Sequence, residues 1–255
     1  MTVTSFGKIL TILDLFSIHR SVINVDIITQ ELGLSKPTSY RYLKELVSAD
    51  LLNRLNGTSG DYILGPKIAV LDYVSRTTDP LVQISKPFMQ EITQRTELCC
   101  LLTYLNDHYC IDVHHEVYGS ETLIAYGRGS PRPVYMGSAP KVIMAHLNKS
   151  TITDYYHRFE NELKEADLAH TETAFLEKMK KIKKQGFYLS KGEVIENLSG
   201  LSVPIRFSPK EAPLALTVIA STSRFEYVNL QKLIETLQDS AEQIAQRYQS
   251  LSVNE

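Results

Sequence analysis

Residues 25–46 (VDIITQELGLSKPTSYRYLKEL) form two short helical runs broken at Gly33, and no other segment restricts the fold as strongly. Glycine supplies the positive-φ residue that a sharp helix exit needs. Leu34 then plugs the turn, and Ser35 can accept hydrogen bonds from the free N–H groups of the next helix. Pro37 falls in that helix's first turn, where a missing N–H costs little. The second helix is expected to bury Leu43, Leu46 and Val47 and to leave Lys36, Thr38, Ser39, Arg41, Tyr42 and Lys44 outward, with Tyr40 a candidate for the core. A short, polar, mildly basic helix held at a fixed angle by a partner helix is what the major groove of DNA accepts. The segment reads as a helix-turn-helix, and its expected partner is a double-stranded operator.

The charge pattern agrees with a local reader of DNA. The whole chain of 255 residues carries a formal net charge of −2, which argues against a protein that coats nucleic acid over its surface. Over residues 1–65 six basic side chains balance six acidic ones. Between Ser35 and Ala49, however, Lys36, Arg41 and Lys44 face only Glu45. A patch so modest binds weakly by itself, so two half-sites summed by a homodimer or homotetramer are expected. Arg41 is the best candidate for a base-edge or phosphate contact, because a guanidinium presents paired donors. Lys36, Thr38, Ser39 and Lys44 suit phosphate and register contacts, and Ser35, Tyr42 and Arg54 complete the candidate DNA-binding set.

The surrounding pattern organises the rest. Residues 6–16 carry Ile9, Leu10, Leu13 and Phe16 at helical spacing, a first helix behind the pair. Residues 51–55 and 61–64 flank Asn56-Gly57-Thr58-Ser59-Gly60, a hairpin signal that makes the unit a winged helix. The turn is either a wing tip on the phosphate backbone or a plain solvent-exposed loop. Gly65-Pro66 closes this domain (1–65). A linker helix (66–80) follows, and then a second domain (81–255) in which strand runs at 98–105, 109–117, 122–126, 201–207 and 214–220 are flanked by helices at 81–96, 137–147, 151–159 and 173–185 and by a long C-terminal one. Strands flanked by helices describe an α+β fold with an antiparallel sheet.

No apolar run approaches the roughly 20 residues of a membrane helix, and no signal peptide opens the chain. Three cysteines, two of them adjacent, imply no disulfide framework, so a reducing cytoplasm fits best. No cofactor, metal or membrane partner is expected. Cys110, Asp112 and His114 alternate along one strand and would share a face, which leaves open a metal site or an enzyme using Cys110 and His114. Conversely, Cys is commonly a small buried hydrophobe. The Lys178, Lys180, Lys181, Lys183, Lys184 cluster has the look of a second nucleic-acid patch but better suits a solvated face near a helix C-terminus. A protein-interaction adaptor is the other alternative.

Four segments in order resemble the IclR-type family of bacterial transcriptional regulators across nearly the whole chain. Residues 34–43 (LSKPTSYRYL) are similar to its recognition-helix segment, with Lys36, Thr38, Arg41 and Leu43 in matching places. Residues 62–65 (YILG) look like its wing exit, and 133–145 (PVYMGSAPKVIMA) resemble the loop-to-helix signature of its effector domain. Glu193 with 200–205 (GLSVPI) resembles the segment entering the next strand. The resemblance implies an N-terminal winged helix-turn-helix, a linker helix and a C-terminal GAF-like effector domain, with dimers or tetramers controlled by a small, often acidic, metabolite. It also implies a pocket near Gly137, Ser138 and Ala139, with Ser190, Asn197, Leu198 and Thr217 facing the same space. The chain departs from the family at Pro140, where glycine usually precedes the lysine. It departs again at Ser190-Lys191-Gly192, where an acidic run is common, and at Gly200, where cysteine is frequent. These departures surround the expected pocket, so a ligand different from the small keto acids of some relatives is expected.

Overall fold

The computed structural model describes residues 4–57, 60–106, 109–119, 126–208 and 213–252. The chain divides into two compact units, Met1–Thr77 and Thr78–Glu255.

In the first unit the apolar run at 6–16 is split: α1 spans Ser5–Leu10, and a 3-10 turn takes Leu13–Leu15. A two-residue strand, β1 (Ile23–Asn24), leads into α2 (Val25–Leu32), whose first turn is capped by the Asn24 side chain accepting from Ile27 N–H at 3.0 Å. Gly33 ends α2 in the left-handed region at φ 65°, as its position predicts, and its N–H donates to Thr29 O. α3 (Lys36–Ser48) starts at Ser35, whose Oγ lies 3.4 Å from Thr38 N–H and donates to Thr38 Oγ1 at 2.9 Å. β2 (Leu52–Arg54) and β3 (Asp61–Leu64) pair antiparallel, and β1 adds to the other edge of β3, giving the order β1-β3-β2. Ile12, Ile23, Ile28, Leu43, Leu46, Leu52 and Tyr62 form the core of this winged unit. α4 (Pro66–Thr78) buries none of its side chains and exposes Val70, Leu71, Tyr73 and Val74.

The second unit is built on an antiparallel sheet flanked by helices. α5 (Pro80–Thr96) precedes β4 (Cys99–Leu105) and β5 (Cys110–Glu116). Then come α6 (Ser138–Met144), α7 (Lys149–Arg158), α8 (Glu160–Glu165) and α9 (Glu172–Gln185). β6 (Tyr188–Lys191), β7 (Leu198–Ile205) and β8 (Leu214–Ser221) follow, and α10 (Thr222–Glu226) and α11 (Leu230–Ser252) end the described chain. Among the described residues the five strands run in the order β5-β4-β8-β7-β6. β6, α8 and α10 lie where the sequence pattern predicts no strand or helix. The strand expected at 122–126 falls mostly outside the described residues; Tyr126, which is described, lies in no strand.

The two faces of this sheet differ because strand side chains alternate. Cys100, Leu102, Leu201, Val203, Leu216 and Val218 point to one face and pack in one core with residues of α5 and α11. Thr103, Thr217, Ser202 and Ser190 lie on the other. α6 contacts that region, and all seven of its residues are buried, Lys141 included.

Candidate DNA-reading surface and effector cavity

On α3 the buried residues are Ser39, Tyr42, Leu43 and Leu46, an i, i+3, i+4, i+7 stripe. This corrects two expectations. Ser39 and Tyr42 face the core, while Tyr40, a candidate core residue by sequence, is exposed. The stripe through Leu43 and Leu46, carried one turn back, passes through Ser39 and Tyr42, and that periodicity could have placed them. Ser39 satisfies its hydroxyl by donating to Ser35 O at 3.1 Å. Val47 is only partly buried. The outward face of α3 therefore presents Lys36, Tyr40, Arg41 and Lys44. Lys36 pairs with Asp26 at 2.8 Å, and this hydrogen bond and charge raise its pKa above the ordinary lysine value. The Arg41 guanidinium lies over the Tyr42 ring at 5.4 Å, and that of Arg54 lies 6.0 Å from the Tyr62 ring. Thr38 is half-buried beside its cap, and Ser35 is exposed.

The polar face of the sheet holds a cavity of about 50 Å³, partly open to solvent. Gly137, Ser138, Ala139, Ser190, Leu198 and Thr217, which the family resemblance implies for a pocket, are among its lining residues. Asn197 does not: it is exposed at the turn before β7, and its carbonyl accepts from Thr222 N–H. Leu101, Ile219, Val194 and Pro140 form apolar walls, and Gly200 lies in the floor. The hydroxyls are linked, since Ser202 Oγ donates to Ser138 Oγ at 2.7 Å and lies 2.7 Å from Thr217 Oγ1. Ser190 Oγ donates to Gly200 O at 3.2 Å.

Two lining residues, Asp112 and Arg132, were not among the expected ligand contacts. Arg132 Nη1 donates to Asp112 Oδ2, and Arg132 Nη2 donates to Thr103 Oγ1 at 3.2 Å. Thr103 in turn donates to Asp112 Oδ1 at 2.6 Å. Burial works to raise the Asp112 pKa, but the contacts with His115, Arg132 and Thr103 outweigh it and hold the carboxyl below its usual range. Arg132 stands 20 residues from Asp112, joined to β5 by a bridge to Cys110, and no local sequence signal announces it.

The expected sharing of a face by Cys110, Asp112 and His114 does not hold. The β4–β5 register shifts between Leu102 and Thr103, so Thr103 pairs with Asp112 but Leu102 pairs with His114. The bulge reverses the alternation. His115 therefore comes within 3.5 Å of Asp112, while His114 reaches Glu116 at 2.7 Å. Burial pushes the Cys110 thiol up to about 12, too high to supply thiolate near neutrality. Among the described residues no cluster of three or more His, Cys, Asp or Glu side chains is arranged to hold a metal ion.

Beside the cavity, α6 carries the buried Lys141. Its ammonium pairs with Glu193 and lies 5.1 Å from the Tyr188 ring centre, and Glu193 also accepts from Tyr188 Oη and Gly137 N–H, each at 3.1 Å. Burial lowers the Lys141 pKa, and Glu193 partly restores it.

A winged helix-turn-helix followed by a sheet domain with a small-molecule cavity defines a DNA-binding regulator with a separate sensing unit. Residues 72–246 match the family described as bacterial transcriptional regulator IclR, C-terminal, and residues 5–55 match the IclR helix-turn-helix domain. The chain belongs to the IclR family of bacterial transcriptional regulators. It is 24% identical over 248 residues to the Pca operon regulatory protein of Acinetobacter baylyi, covering 95% of this chain and 88% of that one. It is 25% identical over 240 residues to the HTH-type transcriptional regulator XynR of Escherichia coli, covering 93% and 94%. Its fold is similar to that of an IclR homolog from Microbacterium hydrocarbonoxydans complexed with 4-hydroxybenzoate, with TM-score 0.70, 17% identity and coverage of 95% and 98%. Among the described residues no helix is long and apolar enough to cross a membrane.

Proposed function

We propose that this regulator works in the cytoplasm, binds its operator as a homodimer or homotetramer, and responds to a small organic acid held in the sheet-domain cavity. The observation that carries the reading is the cavity itself: hydroxyls of Ser138, Ser190 and Thr217 converge on a space walled by Leu101, Ile219 and Val194. That composition suits a small ligand with an apolar body and an acidic or hydroxylated end, the chemistry of the 4-hydroxybenzoate found in the Microbacterium homolog. Ser35, Lys36, Thr38, Arg41, Lys44 and Arg54 are the proposed DNA contacts, with Tyr40 added by its exposure. The exposed Val70, Leu71, Tyr73 and Val74 of α4 support association with a second copy. The chain is read as a sensor rather than a catalyst, in keeping with the elevated pKa of Cys110.

The test is a thermal-shift screen of the full chain against aliphatic, sugar and aromatic acids, 4-hydroxybenzoate included. A ligand at about 100 times its dissociation constant adds about 2.7 kcal/mol to the folded state. A hit that also changes operator affinity supports the reading, and a flat screen across all three classes overturns it.

A further inference from the structure

The two polar regions of the cavity differ in kind. At the β6–β8 side stand uncharged hydroxyls, those of Ser138, Ser190 and Thr217. At β5 stand Asp112 and Arg132, the charged side chains among the described lining residues. Arg132 is 9% exposed and Asp112 1%, so the cavity meets a buried guanidinium already paired with its counter-charge. Two of the guanidinium nitrogens are already engaged, by Asp112 and by Thr103.

A ligand carboxylate delivered to this end competes with Asp112 for one cation. It loses its water, gains attraction from Arg132, and meets repulsion from the buried Asp112 carboxylate that lines the same cavity. A hydroxyl meets no such conflict, because it brings no charge and can both accept from a guanidinium and donate to a carboxylate. The hydroxyl-lined end has no buried anion among its lining residues, so a single carboxylate is better placed there, accepting from Ser138, whose Oγ accepts from Ser202 and keeps its own proton to donate.

We infer that the Asp112–Arg132 pair sets the specificity of the cavity: its β5 end admits a hydroxyl and rejects a second carboxylate, so a hydroxy acid is selected over the matching diacid. The inference rests on the reading of the cavity as an acid sensor.

The experiment measures dissociation constants of the full chain for 4-hydroxybenzoate, benzoate and terephthalate by calorimetry, at about pH 8, above the ordinary histidine range. The first should bind at least tenfold more tightly than the third, with benzoate between. Asp112→Asn keeps the size and one acceptor but leaves Arg132 uncompensated. In that variant terephthalate should gain at least tenfold relative to 4-hydroxybenzoate. A folded Asp112→Asn protein with an unchanged ratio overturns the inference. Where that variant does not fold, the wild-type order decides, and terephthalate binding as tightly as 4-hydroxybenzoate overturns it. Binding of the acids without discrimination removes this inference alone. No binding by any of the three overturns this inference, and a flat acid screen beside it removes the acid-sensing reading as well.

Discussion

Removing the Glu193 carboxylate should expose how much the sheet domain depends on one buried charge. Lys141 is 2% exposed and Glu193 26%, and Glu193→Ala strands an ammonium, the Tyr188 hydroxyl and the Gly137 N–H at once. Breaking a buried pair by deleting one partner costs about 3–5 kcal/mol, and the exposed quarter of Glu193 admits enough water to favour the lower end. About 3 kcal/mol corresponds to a fall of roughly 6–12 °C in the melting temperature of a unit of this size. The loss should depend on pH. Burial already holds the Lys141 pKa below 10.5, and Glu193 is what raises it again, so the variant lowers it further. Between that lowered value and 10.5 the unfolded chain binds more protons than the folded one, so stability climbs as pH rises, by up to about 1.4 kcal/mol per unit. Urea unfolding followed by circular dichroism suits a chain without tryptophan. The deficit should be larger at about pH 7 than at about pH 9.5, and Lys141→Met combined with Glu193→Gln should recover most of it. A loss under about 1 kcal/mol, or one equal at both pH values, would refute the buried-pair argument.

Two further outcomes separate reading from packing. Arg41→Ala should cost about 1–3 kcal/mol of operator affinity in a gel-shift titration with the fold intact, whereas Tyr42→Ala, which empties a core position, should cost about 3–5 kcal/mol of stability. Asp112, whose folded pKa is depressed, contributes stability that is fully present above its ordinary value of 3.8 and is lost as pH falls through the folded one. The acid limb of the melting profile should therefore be shallower in Asp112→Asn than in the wild type.

Much of the DNA-binding unit was legible because its signals are local. Gly33, Ser35 and Pro37 act through backbone angles and caps within a few residues, so their text alone announces the turn. The errors there, Ser39 and Tyr42 for Tyr40, came from chemistry outweighing periodicity: a polar serine and tyrosine were read outward although the Leu43–Leu46 stripe passes through both. The cavity was legible in part through resemblance, which brought Ser138, Ser190 and Thr217 together, but Asn197 was misplaced by the turn before β7.

What the sequence by itself determined was the helix-turn-helix, the hairpin after it, the α+β alternation and the family. Each follows from spacing within about one element, where side-chain period and capping act. Only the tertiary structure decided which charges meet. A one-residue register shift beside Thr103 turned His115 rather than His114 toward Asp112, and the bridge to Cys110 carried Arg132 to the same carboxylate from 20 residues away. The burial of α6 forced Lys141 to find Glu193, 52 residues on. Such pairings depend on how strands register and helices pack, and no local propensity encodes them.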